Sequence, residues 1–189
     1  MAMHKGLIAI IALASIAAGA LALRQDAPWV LRNVSPSSPL GLYLYDGGKP
    51  GIGDYLAFHP HGPGFERVTE QTGLPMPDMP LLKSIIAGPG DRVCYQPDTD
   101  MFQVNQDPPF GIQDRVYQGN EIPLWKGCRN LLTGDRSEYF VHSGRIPNSL
   151  DSRFYGPVQA STIVGVYKPL WIEQAGGDDP KTPKSQGSL

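Results

Sequence analysis

Three stretches of this sequence hold residue types that could do chemistry. The first is serine-rich, Asn33-Val-Ser35-Pro-Ser37-Ser38-Pro39-Leu-Gly41-Leu-Tyr43. By itself, SPSSP reads as a Pro/Ser linker. The second is Leu81-Leu-Lys83-Ser-Ile-Ile-Ala-Gly88-Pro-Gly90-Asp91. Lys83 is a lone lysine in an apolar run. On a strand it shares a face with Ile85. Burial there would lower its pKa and make it a general base near neutral pH. The alternative is an edge-strand lysine whose ammonium reaches water. The third is Asn148-Ser149-Leu150-Asp151-Ser152-Arg153-Phe-Tyr-Gly156-Pro157. Asp151 and Arg153 stand two apart and could pair with other groups; on its own the segment reads as a polar turn before a strand. His59-Pro-His61 brings only two imidazoles together in a proline-rich stretch, so no metal is expected. GxxxxGK[ST], HExxH and GxSxG are all missing, which leaves ATP use, zinc-protease and α/β-hydrolase chemistry without support and no cofactor expected.

These residues must be positioned by short elements. The 189 residues include 22 glycines and 19 prolines, together about a fifth of the chain against roughly 12 % on average. Both residues break helix interiors, so a helical bundle is excluded and a loop-rich β architecture fits. Strand-length apolar runs bounded by turn signals occur at Gly41–Tyr45, Asp54–Phe58, Asp91–Tyr95, Tyr139–His142 and Ser161–Tyr167. Gln25 to Asn33 reads as a linker. Pro60 to Pro80 carries five prolines and reads as loop, with at most a turn of helix near Glu66–Gln71. Glu173 to Leu189 is polar and reads as a disordered tail. Charged residues are 18 % and the net charge is −2, so nothing points to nucleic acid.

Gly6 to Leu23 is 18 residues without a charge. As a helix it would span about 27 Å, close to the hydrocarbon thickness of a bilayer. A membrane anchor over residues 1–24 is the expectation. A cleaved signal peptide competes, because Ala20-Leu21-Ala22 offers a small-x-small site. The flanking charges encode almost no orientation. The only cysteines, Cys94 and Cys128, form neither a CxxC motif nor a zinc set. In an exported domain such a pair forms a disulfide more often than two buried thiols. Anchor and cysteines together point to a domain outside the cytoplasmic membrane.

Taken together, the segments resemble the S26 signal peptidase family, and more narrowly its conjugal-transfer branch, the TraF-type signal peptidases. Asn33, Ser35, Ser37, Pro39, Gly41 and Tyr43 resemble the nucleophile box of that branch. Gly53-Asp54-Tyr-Leu-Ala-Phe58 is similar to its GD-plus-apolar strand. Lys83 to Val93 resembles the lysine box, with its closing Gly88-Pro89-Gly90-Asp91, and Asn148 to Val158 resembles the final box. The four occur in the family's order and follow an apolar N-terminal run.

The resemblance implies a mainly β, signal-peptidase-like domain over residues 25–172 after one transmembrane helix, with 173–189 as tail. It implies Ser37 as nucleophile, with Ser38 as the neighbour that could be mistaken for it, and Lys83 as general base. Ser35 would help the Ser37 N–H hold an oxyanion. Ser149 would fix the lysine rotamer, and Asp151 and Arg153 would support the site. A Ser–Lys dyad hydrolyses amides without histidine or a third acid. The implied activity is that of a membrane-anchored serine endopeptidase that matures an exported precursor. In the conjugal branch the precursor is a pilin of a type IV secretion apparatus, and a variant lets the pilin's own amine attack and yields a cyclic product. The implied location is the cytoplasmic membrane, with the catalytic domain on the periplasmic side. The competing reading is a non-catalytic envelope component of a transfer apparatus. A soluble Ser–Lys repressor would need a DNA-binding segment where the apolar run stands. Two departures separate the chain from housekeeping preprotein processing. Ser84 follows the lysine where a basic residue is usual, and Ser143-Gly144-Arg145 stands where Gly-Asp-Asn is usual.

Overall fold

The computed structural model describes residues 27–111, 115–117, 119–146 and 149–173. The apolar run expected to anchor the chain, residue 148 and the tail from 174 onward lie outside the described residues. Among the described residues, no helix is long and apolar enough to cross a membrane.

Glycine- and proline-rich punctuation produces short strands, and these pair antiparallel into two main sheets. The larger contains β1 (Val30–Asn33), β2 (Gly41–Tyr45), β3 (Tyr55–Phe58), β4 (Leu81–Ala87), β11 (Glu138–His142), β12 (Val158–Gln159) and β13 (Ile163–Ile172). Their spatial order is β1-β2-β13-β3-β4-β11-β12. The last long strand therefore returns to lie between β2 and β3. Four strands, β5 (Arg92–Gln96), β6 (Met101–Val104), β7 (Phe110–Gly111) and β10 (Cys128–Asn130), form a second sheet in the order β10-β5-β6-β7. A small hairpin, β8 (Val116–Tyr117) with β9 (Asn120–Glu121), completes the strands.

Each sheet has its own core. One face of the large sheet contributes Leu56, Ile85, Val141 and Val166 to a cluster that also holds Phe65 and Val68 of α1 (Pro63–Thr72) and Phe154 and Tyr155 of α2 (Ser152–Tyr155). The smaller sheet packs Val93, Phe102 and Val104 against Ala87, Leu131 and Phe140. Period-2 alternation along β4 sends Lys83 and Ile85 to one face and Leu82 to the other, where it meets Tyr43, Ala57 and Tyr167.

Three local expectations are corrected. The stretch read as linker before the serines is in part a strand, because Val30–Asn33 finds a partner in Gly41–Leu44. The Pro60–Pro80 segment holds a ten-residue helix, not a single turn. Pro63 sits at its first position, where its missing N–H costs nothing, and Gly73 closes it in the left-handed conformation. Gly64 admits the helix against α2: a Cβ there would fall 1.7 Å from the Tyr155 carbonyl oxygen. The segment around Asp151 is a capped helical turn, not a polar turn leading directly to a strand.

Candidate active site

The serine-rich stretch is a tight loop between β1 and β2, and its first residue organises it. Asn33 Oδ1 accepts from the Ser35 N–H at 3.1 Å, and Nδ2 reaches the carbonyls of Ser35, Ser38 and Pro39 at 2.9–3.0 Å. Tyr43 donates its hydroxyl to the Pro39 carbonyl at 2.7 Å. Gly41 starts β2 at φ +147°, and a Cβ there would lie 2.1 Å from the Trp171 carbonyl oxygen, so only glycine fits. The loop is thus tied into the sheet at both ends.

From this loop, Ser37 faces β4. Lys83 Nζ stands 2.5 Å from Ser37 Oγ and donates to Ser149 Oγ at 3.0 Å. Ser35 Oγ lies 3.0 Å from Ser37 Oγ. Ser38 turns away and donates to the Leu82 carbonyl at 2.8 Å. Of the two adjacent serines, only Ser37 meets the lysine. Lys83 is 5 % exposed. Burial pulls its pKa down from 10.5 to about 8, opposed by the Asp151 carboxylate and helped by the Arg153 guanidinium. A lysine so placed is partly neutral at physiological pH and can accept the Ser37 proton. Its N–H bond to Ser149 leaves its lone pair free to point at Ser37.

Behind the lysine lies a buried ion pair. Asp151 and Arg153 are 0 % and 2 % exposed. Arg153 donates from Nε to Asp151 Oδ1 and from Nη2 to Oδ2, both at 2.8 Å. Asp151 also caps α2 by accepting the Arg153 N–H at 3.2 Å. Its remaining partners are the Ser143 N–H at 3.0 Å and His142 Nδ1 at 3.1 Å. Burial would raise the Asp151 pKa, but the hydrogen bonds from His142 and Arg153 and the guanidinium charge outweigh it and hold the carboxyl below its ordinary value. Arg153 reaches further, from Nη2 to the Ser149 carbonyl at 3.4 Å. Ser149 is therefore tied through its backbone to the ion pair and through its hydroxyl to Lys83.

The serine and lysine open on a cleft of about 510 Å³. Its walls are mostly apolar, with Leu74, Met76, Leu81, Ile146 and Leu150, and Asp78 is its one carboxylate among the described residues. The wall from Leu74 to Asp78 is the proline-rich segment that follows α1. A carbonyl entering this cleft would meet a hydroxyl, an amine of lowered pKa and a second hydroxyl within one small volume. That is the equipment of acyl transfer by a covalent acyl-enzyme.

The sequence profile of the family described as signal peptidase, peptidase S26, matches residues 3–171. The chain belongs to the S26 signal peptidase family. No curated protein matches it significantly. Among solved structures, a signal peptidase I from Enterococcus faecalis V583 is similar at 21 % identity, over 63 % of this chain and 97 % of that chain, with a TM-score of 0.36. As an S26 signal peptidase the chain is a serine endopeptidase acting on exported precursors. The mainly β signal-peptidase fold and the two antiparallel sheets agree.

The site residues read from the sequence fall into one connected group: Ser35, Ser37, Lys83, Ser149, Asp151 and Arg153. Cys94 and Cys128 lie elsewhere, directly opposite each other on β5 and β10, and are joined in a disulfide. His59 and His61 stack on each other; among the described residues no three His, Cys, Asp or Glu side chains come together as a metal set. Ser143 and His142 join the site without having been singled out. In the sequence, Ser143 stands out only as a departure from the family's closing box.

Proposed function

We propose that Ser37 is the nucleophile and Lys83 the general base of a membrane-anchored endopeptidase that matures a conjugative pilin precursor. One observation carries this reading: the buried Lys83 amine lies 2.5 Å from Ser37 Oγ at the cleft. Neutral Lys83 takes the Ser37 proton as Oγ attacks the scissile carbonyl, and returns it to the leaving amine. The Ser35 hydroxyl and the Ser37 N–H stabilise the oxyanion. Ser149 holds the lysine rotamer, and Asp151 with Arg153 holds Ser149. The acyl-enzyme is then released by water, or by the pilin's own amine to give a cyclic product.

The apolar run at Gly6–Leu23 supports anchoring of residues 1–24, and residues 25–172 form the peptidase domain. A surface beside the nucleophile supports placement at the bilayer. Leu44 pairs with Val30, and Leu42 with Trp171, across adjacent strands. Trp29, Val30, Leu44 and Trp171 are all exposed, and Val34 is exposed one residue before Ser35. Val30, Leu44 and Trp171 lie toward one face and Trp29 toward the other, against Tyr45; exposed aromatic and aliphatic side chains at this sheet edge suit the interfacial region of a membrane. The conjugal specificity is supported by the nucleophile-box pattern from Asn33 to Tyr43, and the location follows as the periplasmic side of the cytoplasmic membrane.

The test is co-expression with a candidate pilin precursor, following pilin mass for wild type, Ser37→Ala and Lys83→Ala. Loss of processing in both variants, with the protein retained in membranes, is the expected result. A product one water lighter than the linear form means cyclisation; the linear mass means hydrolysis. Continued processing by Ser37→Ala would overturn the nucleophile assignment.

A further inference from the structure

In the loop that carries Ser37, Asn33 and Tyr43 tie the carbonyls of Ser35, Ser38 and Pro39 from within the β1–β2 segment. The carbonyl of Ser37 itself is tied differently. Its partner comes from the end of β11, 106 positions away: Ser143 Oγ donates to it at 2.5 Å. Ser143 is 4 % exposed, and its own N–H is held by Asp151 Oδ2 at 3.0 Å. A buried hydroxyl gripped at its backbone has little freedom, so it fixes what it touches.

We propose that Ser143 is a positioning residue for the nucleophile. It transmits the placement of the Asp151–Arg153 pair to the Ser37 backbone, as Ser149 transmits it to Lys83. The pair then sets both members of the dyad: Ser37 through Ser143, and Lys83 through the Ser149 carbonyl that Arg153 reaches at 3.4 Å. Release of the Ser37 carbonyl lets its peptide rotate and moves Oγ off the line to Lys83 Nζ. A displacement of about 1 Å at a reacting atom can cost about 100-fold in rate. Asn33 and the Ser38–Leu82 contact still hold the rest of the loop, so the fold survives.

The inference rests on the Ser37–Lys83 reading, and the test separates the two. The full chain in detergent is treated with p-nitrophenyl acetate, and acetylation of Ser37 is followed by peptide mass mapping across pH 6–10. Wild type, Ser37→Ala, Ser143→Ala, Ser143→Cys and Ser143→Thr are compared. Ser143→Ala should acetylate about 10- to 100-fold more slowly. Its pH profile should keep the wild-type inflection, because Lys83 and Ser149 are untouched. Ser143→Thr keeps the hydroxyl and should restore the rate to within about threefold, with Ser143→Cys in between as a weaker donor. An equal rate in wild type and Ser143→Ala would overturn the inference. So would a loss that threonine fails to rescue, or one that shifts the inflection. If wild type leaves Ser37 unacetylated, the dyad reading fails and the inference fails with it.

Discussion

The two sheets of this molecule solve opposite problems. The smaller sheet is built for order. Phe102 contacts Tyr95, Phe110, Trp125 and Phe140 in one aromatic cluster, and the Cys94–Cys128 bridge joins its β5 and β10 strands. The Arg115–Asp100 ion pair at its β5–β6 turn lies toward the surface, while Arg129 of β10 reaches across to the buried Glu138 of β11. The larger sheet buries a lysine, an aspartate and an arginine beside its core. Burial of charge opposes folding unless every group is paired. Asp151 and Arg153 are paired many times over; Lys83 meets only hydroxyls through its own hydrogen bonds. The smaller sheet is bridged and aromatic-packed; the larger one carries the buried charges of the site. The two meet where the Trp125 N–H, at the edge of the aromatic cluster, donates to the Arg153 carbonyl at 2.9 Å.

The strongest way to break this contrast is to remove the base. Lys83→Ala should lower precursor processing by about 10²–10⁴-fold, the usual contribution of a positioned general base. In wild type the rate should rise with pH and level off above about 8, as Lys83 loses its proton. A processing rate that falls across the same range would exclude a neutral lysine as the acting species.

The second way is to split the buried pair. Asp151→Asn leaves the Arg153 guanidinium buried without its counter-charge and should destabilise the protein by about 3–5 kcal/mol in a denaturant titration. The reason lies in its partners: Arg153 side chain, Ser143 N–H and His142 all converge on this one carboxylate. A loss below about 1 kcal/mol would show that the pair is not the organising centre of the site.

Much of this site was readable because short chemistry-bearing segments kept local signatures. Gly41–Tyr45 and Tyr55–Phe58 are short apolar runs bounded by turn residues, as strands are, and Lys83 stood out because charge is rare in an apolar run such as Leu81–Ala87. Other parts depend on partners far along the chain. Val30–Asn33 has too little apolar character to declare itself, and becomes a strand only because Gly41–Leu44 accepts it. The helix at Pro63–Thr72 was hidden by counting prolines without asking where each would sit; Pro63 is a starter and the others lie outside it. The placement of β13 between β2 and β3 leaves no trace in local pattern. Ser143 was obscured for a related reason: a serine where another residue is usual reads as a change until its hydroxyl is seen against the Ser37 carbonyl.

A third experiment sharpens the comparison from the ordered side. Replacing Cys94 and Cys128 together by serine should cost about 2–4 kcal/mol of stability, since the bridge closes a loop of 34 positions. The turnover of the folded protein should stay within about twofold of wild type, because the bridge touches neither Ser37 nor Lys83. A collapse of turnover without loss of fold would mean that the smaller sheet does more than support.

The smallest effect is the most informative about how the lysine is held. Lys83 has a folded pKa of about 8 against 10.5 for the ordinary side chain. At pH 7 it is mostly charged in both states, and the folded state bears most of the desolvation, on the order of 3 kcal/mol. Between pH 8 and 10.5 the unfolded chain binds more protons than the folded one, so wild-type stability should rise with pH through that window. Lys83→Met removes the charge at similar length but gives up the hydrogen bonds to Ser37 and Ser149, each worth about 1 kcal/mol. The variant should therefore be more stable than wild type at pH 7 by about 1–2 kcal/mol. Its advantage should shrink as pH rises and vanish or reverse by pH 10.5. A stability difference that stays flat from pH 7 to 10.5 would mean that the lysine is not desolvated in the folded enzyme, and the case for its acting as a neutral base would lose its physical ground.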